Sequence, residues 1–250
     1  MSPSLATRMS AAKQLLKALE QLHSAGIVHQ SELTPACRFL SLHANYSTDL
    51  NDRNVMWGIA PPSNFNTETK YRLLGRPKKR ALSSSLWKRG ELVKPLQVPK
   101  ALLGETVYLS NFSMSIKAGT EVEHKVAWPI DYCAPERFHN VNPSFASDMW
   151  SYICLFTQLY LSITPWHHTG HYKAIGRCGD SWYDQNRKPK LFRTLEAQIR
   201  RLRPDVDPTE RNHVLSVMSK GFSYLPKDRP SATQLLQDAS FKAVMEIYCG

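Results

Sequence analysis

From Ser10 to His23 the apolar residues Ala12, Leu15, Leu16, Leu19 and Leu22 recur at three- and four-residue steps. That spacing puts them on one face of a helix, and Gly26 supplies a stop. "GIVH" then reads as a short strand, and "RFLSL" (Arg38 to Leu42) as a second one. Over 44–104 the periodicity dissolves into turn-rich stretches such as "NYSTDLNDRN" and "APPSNFNTETK", which predicts a long insertion carrying one short helix. "ETVYLSNF" (Glu105 to Phe112) alternates as a strand does. "MWSYICLFTQLYLS" (Met149 to Ser162) is apolar on nearly every side, and a helix without a polar face belongs in the middle of a domain. "DPTE" (Asp207 to Glu210) gives a cap, a proline at the first helical position and a Glu three after the cap, with Gly221 as the stop. "SATQ" (Ser231 to Gln234) is a capping box for a last helix carrying Leu235 and Leu236. The C-terminal half is therefore expected to be mostly helical, and no internal repeat is present.

Composition adds a core and a compartment. The chain has 250 residues, 42% hydrophobic and six of them Trp, enough for one large domain or two small ones. Its five cysteines (Cys37, Cys133, Cys154, Cys178, Cys249) have neither paired nor metal-like spacing. They imply reduced thiols in an intracellular protein of the cytoplasm or nucleus. "MSPSLATRMS" lacks the apolar stretch of a signal peptide, and no run of about 18 apolar residues occurs, so no membrane span is expected.

Charge leaves a choice open. Lys and Arg outnumber Asp and Glu by 32 to 21, a formal +11, with concentrations at Arg76 to Arg89 and Arg187 to Arg203. Such runs suit an acidic partner or nucleic acid, and equally a solvated loop and a charged helix face. "HHTGH" (His167 to His171) has spacing that could serve zinc but no matching Cys or His pair nearby, so a surface loop is the simpler reading. Ser83, Ser84 and Ser85 sit beside basic residues as phosphoacceptors or as a polar turn.

Several short motifs occur in a telling order: "LHSAGIVH" followed by "ELTP", then "NFS" (Asn111 to Ser113), "APE" (Ala134 to Glu136), "SDMWS" (Ser147 to Ser151) and "KDRPSATQLL". Together they resemble the large, helical lobe of a protein kinase. The likeness spans Met9 to Val244 (9–244), leaving tails at 1–8 and 245–250. It implies a mainly α (α+β) fold with a central buried helix and a few short strands. "YRLLGRPKKRAL", "GELVKPLQVPKALLG", Pro129 and Pro135 are similar to fungal serine/threonine kinases related to the SR-protein kinases.

In that family a Gly-rich loop, a Lys and a helical Glu come from a small lobe preceding this region. No GxGxxG occurs in the chain, and the residues before Met9 are too few for a sheet, so a truncated domain is expected. Aligned on Leu33 and Pro35, Glu32 falls at the catalytic Asp and Cys37 at the Mg²⁺-binding Asn, with one extra residue after His29. Aligned on His29, the same positions are Ser31 and Ala36. A Glu there is displaced by about an ångström, enough to cost on the order of 10²-fold. Cys is a poor ligand for a cation that takes hard oxygen donors. Asn111 puts a neutral amide where a carboxylate bridges metal and phosphates, and Ser113 replaces a Gly.

Other positions keep the family's scaffold: His29, Phe112 and Asp148 in an internal column, Glu136 and Arg229 in a buried ion pair. The resemblance thus implies a truncated pseudokinase, a binding or scaffolding module. Its rivals are a serine/threonine kinase missing its small lobe from this sequence, and a basic nucleic-acid or acidic-partner binder. No cofactor is expected, with ATP and Mg²⁺ only if activity persists. A protein partner is expected to cover the exposed floor of the cleft.

Overall fold

The computed structural model describes residues 3–29, 50–59, 65–81, 91–93, 98–123, 130–163 and 194–250. Helix α1 (Leu5–Ser24) starts where Ser4 Oγ accepts the Thr7 N–H at 3.1 Å. It buries Met9, Ala11, Ala12, Leu15, Leu16 and Leu19, the stripe that the three- and four-residue spacing predicts. After the helix Gly26 takes φ +74°, a left-handed turn that glycine adopts without a Cβ clash. The chain then enters β1 (Ile27–Val28), which pairs antiparallel with β6 (Ile116–Lys117) in the register Ile27↔Lys117 and Val28↔Ile116.

The chain forms two compact units, Met1–Met56 with Tyr108–Gly250, and Trp57–Val107. Strands β2 (Val55–Ile59) and β5 (Leu103–Leu109) pair in a two-stranded sheet. A Cβ on Gly104 would stand 3.3 Å from the carbonyl oxygen of Gly58, so a larger residue there would need the neighbouring strand to give by a few tenths of an ångström. The smaller unit also holds α2 (Thr67–Leu74), capped by Asn66, and a hairpin of β3 (Lys79–Ala81) on β4 (Glu91–Val93). The expectation for this stretch included the one short helix. It did not include β2 or the hairpin, whose strands are too short to show a period.

The larger unit is mainly α, the fold class its motifs imply. A short α3 (Pro135–Phe138) precedes α4 (Phe145–Leu161), the expected central helix. Ser144 and Ser147 close a reciprocal capping box at its start, and both its apolar and its polar residues are buried, Asp148, Ser151 and Thr157 among them. The Tyr152 phenol donates to the Ala12 carbonyl at 3.0 Å and so ties α4 to α1; full burial pushes its pKa well up. Then follow α5 (Leu195–Leu202), α6 (Pro208–Gly221), α7 (Ala232–Gln237) and α8 (Ala239–Cys249).

Gly221 ends α6 as expected, without a left-handed backbone. It is the last residue of α6, and a Cβ there would meet Ile153 Cγ1 at 2.1 Å, so its role is to let α6 approach α4. The single last helix expected after Ser231 is two, divided at Asp238, which ends α7 and caps α8. "RFLSL" lies outside the described residues. Among the described residues no helix is long and apolar enough to cross a membrane.

Candidate functional site

The site is organised from the buried end of α4. The Asp148 carboxylate is fully buried, and its Oδ2 accepts the His29 backbone N–H at 2.8 Å and His23 Nε2–H at 3.1 Å. His23 in turn lies over Phe145, ring centroids 4.5 Å apart. A buried carboxylate is tolerated only when its lone pairs are taken up this way, and the consequence is that the end of β1 is pinned to the central helix. The His29 ring points back from that anchor. Its Nε2–H donates to the Ser110 carbonyl at 3.0 Å, and its edge meets Phe112 at a centroid distance of 5.3 Å. The structure thus brings His29, Phe112 and Asp148 into one connected column. Phe112, at its far end, is 46% exposed.

A second strand of the network runs through Ser110. Its N–H and its hydroxyl both donate to the Asn54 carbonyl, at 2.9 and 3.0 Å. Asn54 is itself nearly fully buried, in a short 3₁₀ turn (Asp52–Asn54) capped by the Asn51 side chain. The same turn presents Asn54 Oδ1 to Asn111, whose Nδ2 donates to it at 3.2 Å. Asn111 sits at φ +67°, in the left-handed region that Asn tolerates better than most residues. Ser113 Oγ donates to its Oδ1 at 3.2 Å. A hydroxyl and two amides are therefore linked in one hydrogen-bonded chain around position 111.

Asn54 is the residue of this network that sequence reasoning passed over. The signal was present: Asp49-Leu50-Asn51-Asp52-Arg53-Asn54 has the D-L-x-x-x-N spacing, farther along the chain than "ELTP". Ser31, Glu32 and Cys37 lie outside the described residues, as do Ala36 and Asp49.

The brace at the other end of the lobe is complete. Arg229 Nη1 and Nη2 donate to Glu136 Oε1 and Oε2, each at 2.7 Å, a bidentate pair between two buried side chains. Its Nε donates to Ser223 O at 2.7 Å, and the terminal nitrogens also reach Ala146 O and Tyr224 O at 3.0 Å each. The guanidinium lies 5.0 Å over the Trp150 ring. One side chain thus ties α3, the start of α4 and the turn after α6 together.

The basic run ending at Arg203 is partly neutralised. Arg200 pairs with Glu196 at 2.8 Å and Arg203 with Asp205 at 3.1 Å, and the Arg203 hydrogen bonds hold the Asp205 carboxyl below its usual value. Residues 187–193, His167 to His171 and Ser83 to Ser85 lie outside the described residues. Among the described residues no group of His, Cys, Asp or Glu is arranged to hold a metal ion.

A divalent cation of the Mg²⁺ type asks for oxygen donors carrying negative charge. The Asn54–Asn111 pair does not fit that demand. It offers neutral amides, and an amide hydrogen of Asn111 is directed at the oxygen of Asn54 that a cation would take.

A family model described as protein tyrosine and serine/threonine kinase matches residues 94–239, more than half of the chain. No curated protein matches it.

Proposed function

The chain belongs to the protein tyrosine and serine/threonine kinase family, and from that premise we propose that it is a pseudokinase, a binding or scaffolding module without efficient phosphotransfer. The observation that carries this reading is the Asn111 amide bonded to Asn54. Phosphoryl transfer is positioning plus charge stabilisation, with a carboxylate at this place to hold the metal that neutralises the phosphates. An amide supplies no charge, and no resident cofactor is expected. The scaffold residues around it remain bonded as a fold requires, so the lobe can still present surfaces. Phe112, exposed at the end of its column, marks the apolar floor that a protein partner would cover.

A second reading rests on the spacing from Asp49 to Asn54. In that register Asp49 takes the catalytic base position in place of Glu32, and Asn54 the metal-facing position in place of Cys37. Asn111 and Ser113 are then the substitutions that separate this large lobe from a serine/threonine kinase, which would use ATP and Mg²⁺. Kinship with fungal kinases related to the SR-protein kinases, supported by the sequence around Arg76 to Arg80, names the substrates to try. A basic nucleic-acid or acidic-partner binder is a third reading; the ion pairs of Arg200 and Arg203 weigh against it by reducing the charge left for a ligand.

A radiolabelled phosphotransfer assay on basic and Ser/Arg-rich substrates, with Mg²⁺ and with Mn²⁺, separates the first two. No transfer is expected. Transfer that disappears in Asp49→Ala overturns the pseudokinase reading in favour of the second, and transfer that disappears in Glu32→Ala does so through the other register.

A further inference from the structure

We propose that Ser113 is a positioning residue for the side chain at 111, and that the two residues act as one unit closing the site to divalent cations. The proposal rests on the reading that Asn111 has displaced the metal-holding carboxylate, and it goes beyond it by coupling a neighbour to that loss.

The argument starts from what an amide needs. Asn has a donor end and an acceptor end, and which way it points is decided by its partners. Here the Ser113 hydroxyl can donate, and it takes Asn111 Oδ1 at 3.2 Å. That leaves the nitrogen end to face Asn54 Oδ1, also at 3.2 Å. Asn54 cannot move away, because its carbonyl is held twice by Ser110 and its side chain is buried. Asn111 itself stands in the left-handed backbone region, at φ +67°. The result is a chain of hydrogen bonds, from the Ser113 hydroxyl to the Asn111 amide to the Asn54 oxygen, that turns the donor end of Asn111 toward the oxygen a cation would take.

These hydrogen bonds also bear on what a carboxylate could do at 111. With Asp there, the same hydroxyl would donate to one carboxylate oxygen. The other oxygen would face Asn54 Oδ1, oxygen against oxygen. The hydroxyl then competes with a cation for the oxygen it donates to, and a hydrogen bond to a charged group is worth about tenfold or more in affinity. Removing the hydroxyl removes that competitor without altering the charge.

The test uses the full chain as wild type, Ser113→Ala, Asn111→Asp and the double variant. The probe is Mn²⁺ alone, followed by the loss of the free-ion electron paramagnetic resonance signal, with thermal unfolding to establish that each variant is folded. Wild type and Ser113→Ala should leave the signal unchanged, Asn111→Asp should bind weakly, and the double variant about tenfold more tightly. Equal affinity of Asn111→Asp with and without Ser113→Ala would overturn the coupling while leaving the amide reading intact. Wild-type binding as tight as that of the double variant would instead remove the amide reading itself. No binding by the folded double variant would mean that something other than this pair closes the site, and would also overturn the proposal.

Discussion

At the scale of single residues, the side chains that hold the lobe together and those that would hold a metal have separate fates. Glu136 and Arg229 illustrate the first group: the guanidinium spends its donors on one carboxylate and three carbonyls, so neither charge is left without a partner. Arg229→Met should strand the buried Glu136 carboxylate and cost about 3–5 kcal/mol in urea unfolding, whereas Glu136→Gln with Arg229→Met should recover part of that loss. A single-variant cost below about 1 kcal/mol would show that the pair is not desolvated as its burial indicates. These partners were legible in the sequence because each sits in an intact short motif, "APE" and "KDRPSATQLL", whose spacing fixes the register. The pairing of Asn111 with Asn54 was not. Two stretches of the chain, "SELTP" and "DLNDRN", compete for the place after His29, and the nearer one wins when only spacing is weighed. What favours the farther one is the three-dimensional bond from Asn111, together with the clasp of Ser110 on Asn54, and neither leaves a mark in linear periodicity.

Helices carry the next level of the argument, and their ends say more than their middles. The stripe of α1 and the all-round apolar face of α4 were readable from pattern alone, and so were the caps at Asp207 and Ser231. The division of the last helix at Asp238 was not, because the apolar spacing continues through it. There the carboxylate does three things at once: Oδ1 accepts the Ser240 and Phe241 N–H groups at 2.9 and 3.1 Å, and Oδ2 takes the Lys220 ammonium at 2.5 Å. Burial alone would raise its pKa, but the Lys220 bond and the capped N–H groups outweigh that and hold it below the ordinary value. A carboxyl whose folded pKa is depressed contributes stability that is present above its unfolded pKa, about 3.9, and is lost as pH falls through the folded one. Asp238→Ala should therefore cost about 1 kcal/mol at pH 7, the ordinary worth of a cap, and progressively less below about pH 4. A difference that stays constant from pH 7 to pH 2 would show that the charge on Asp238 contributes nothing to holding α8.

For the molecule as a whole, burial is distributed very unevenly, and that decides how its parts open. In the larger unit α4 buries 13 of its 17 residues, and α1 packs a stripe of six buried side chains and shares the Tyr152–Ala12 bond with it, so the amides in the middle of α4 are released only when the lobe unfolds. In the smaller unit α2 spans 8 residues with none buried. A helix shorter than about 12 residues is marginal in water by itself, and α2 ends on two local devices, its Asn66 cap and the closing turn at Gly75, φ +76°. Neither adds more than about 1 kcal/mol, far less than the 5–15 kcal/mol that ordinarily separates a folded domain from its unfolded chain. Native-state hydrogen exchange should accordingly find the α2 amides at least about 10³-fold less protected than those in the middle of α4, since each 1.4 kcal/mol of opening free energy is a factor of ten. Protection of α2 equal to that of α4 would mean that a surface covers it in solution. The exposed Tyr71 and Leu73 on that helix are where such a cover would have to sit, so the same exchange experiment, repeated with Tyr71→Ser and Leu73→Ser, would lose the extra protection if a cover exists and would change little if α2 stands open.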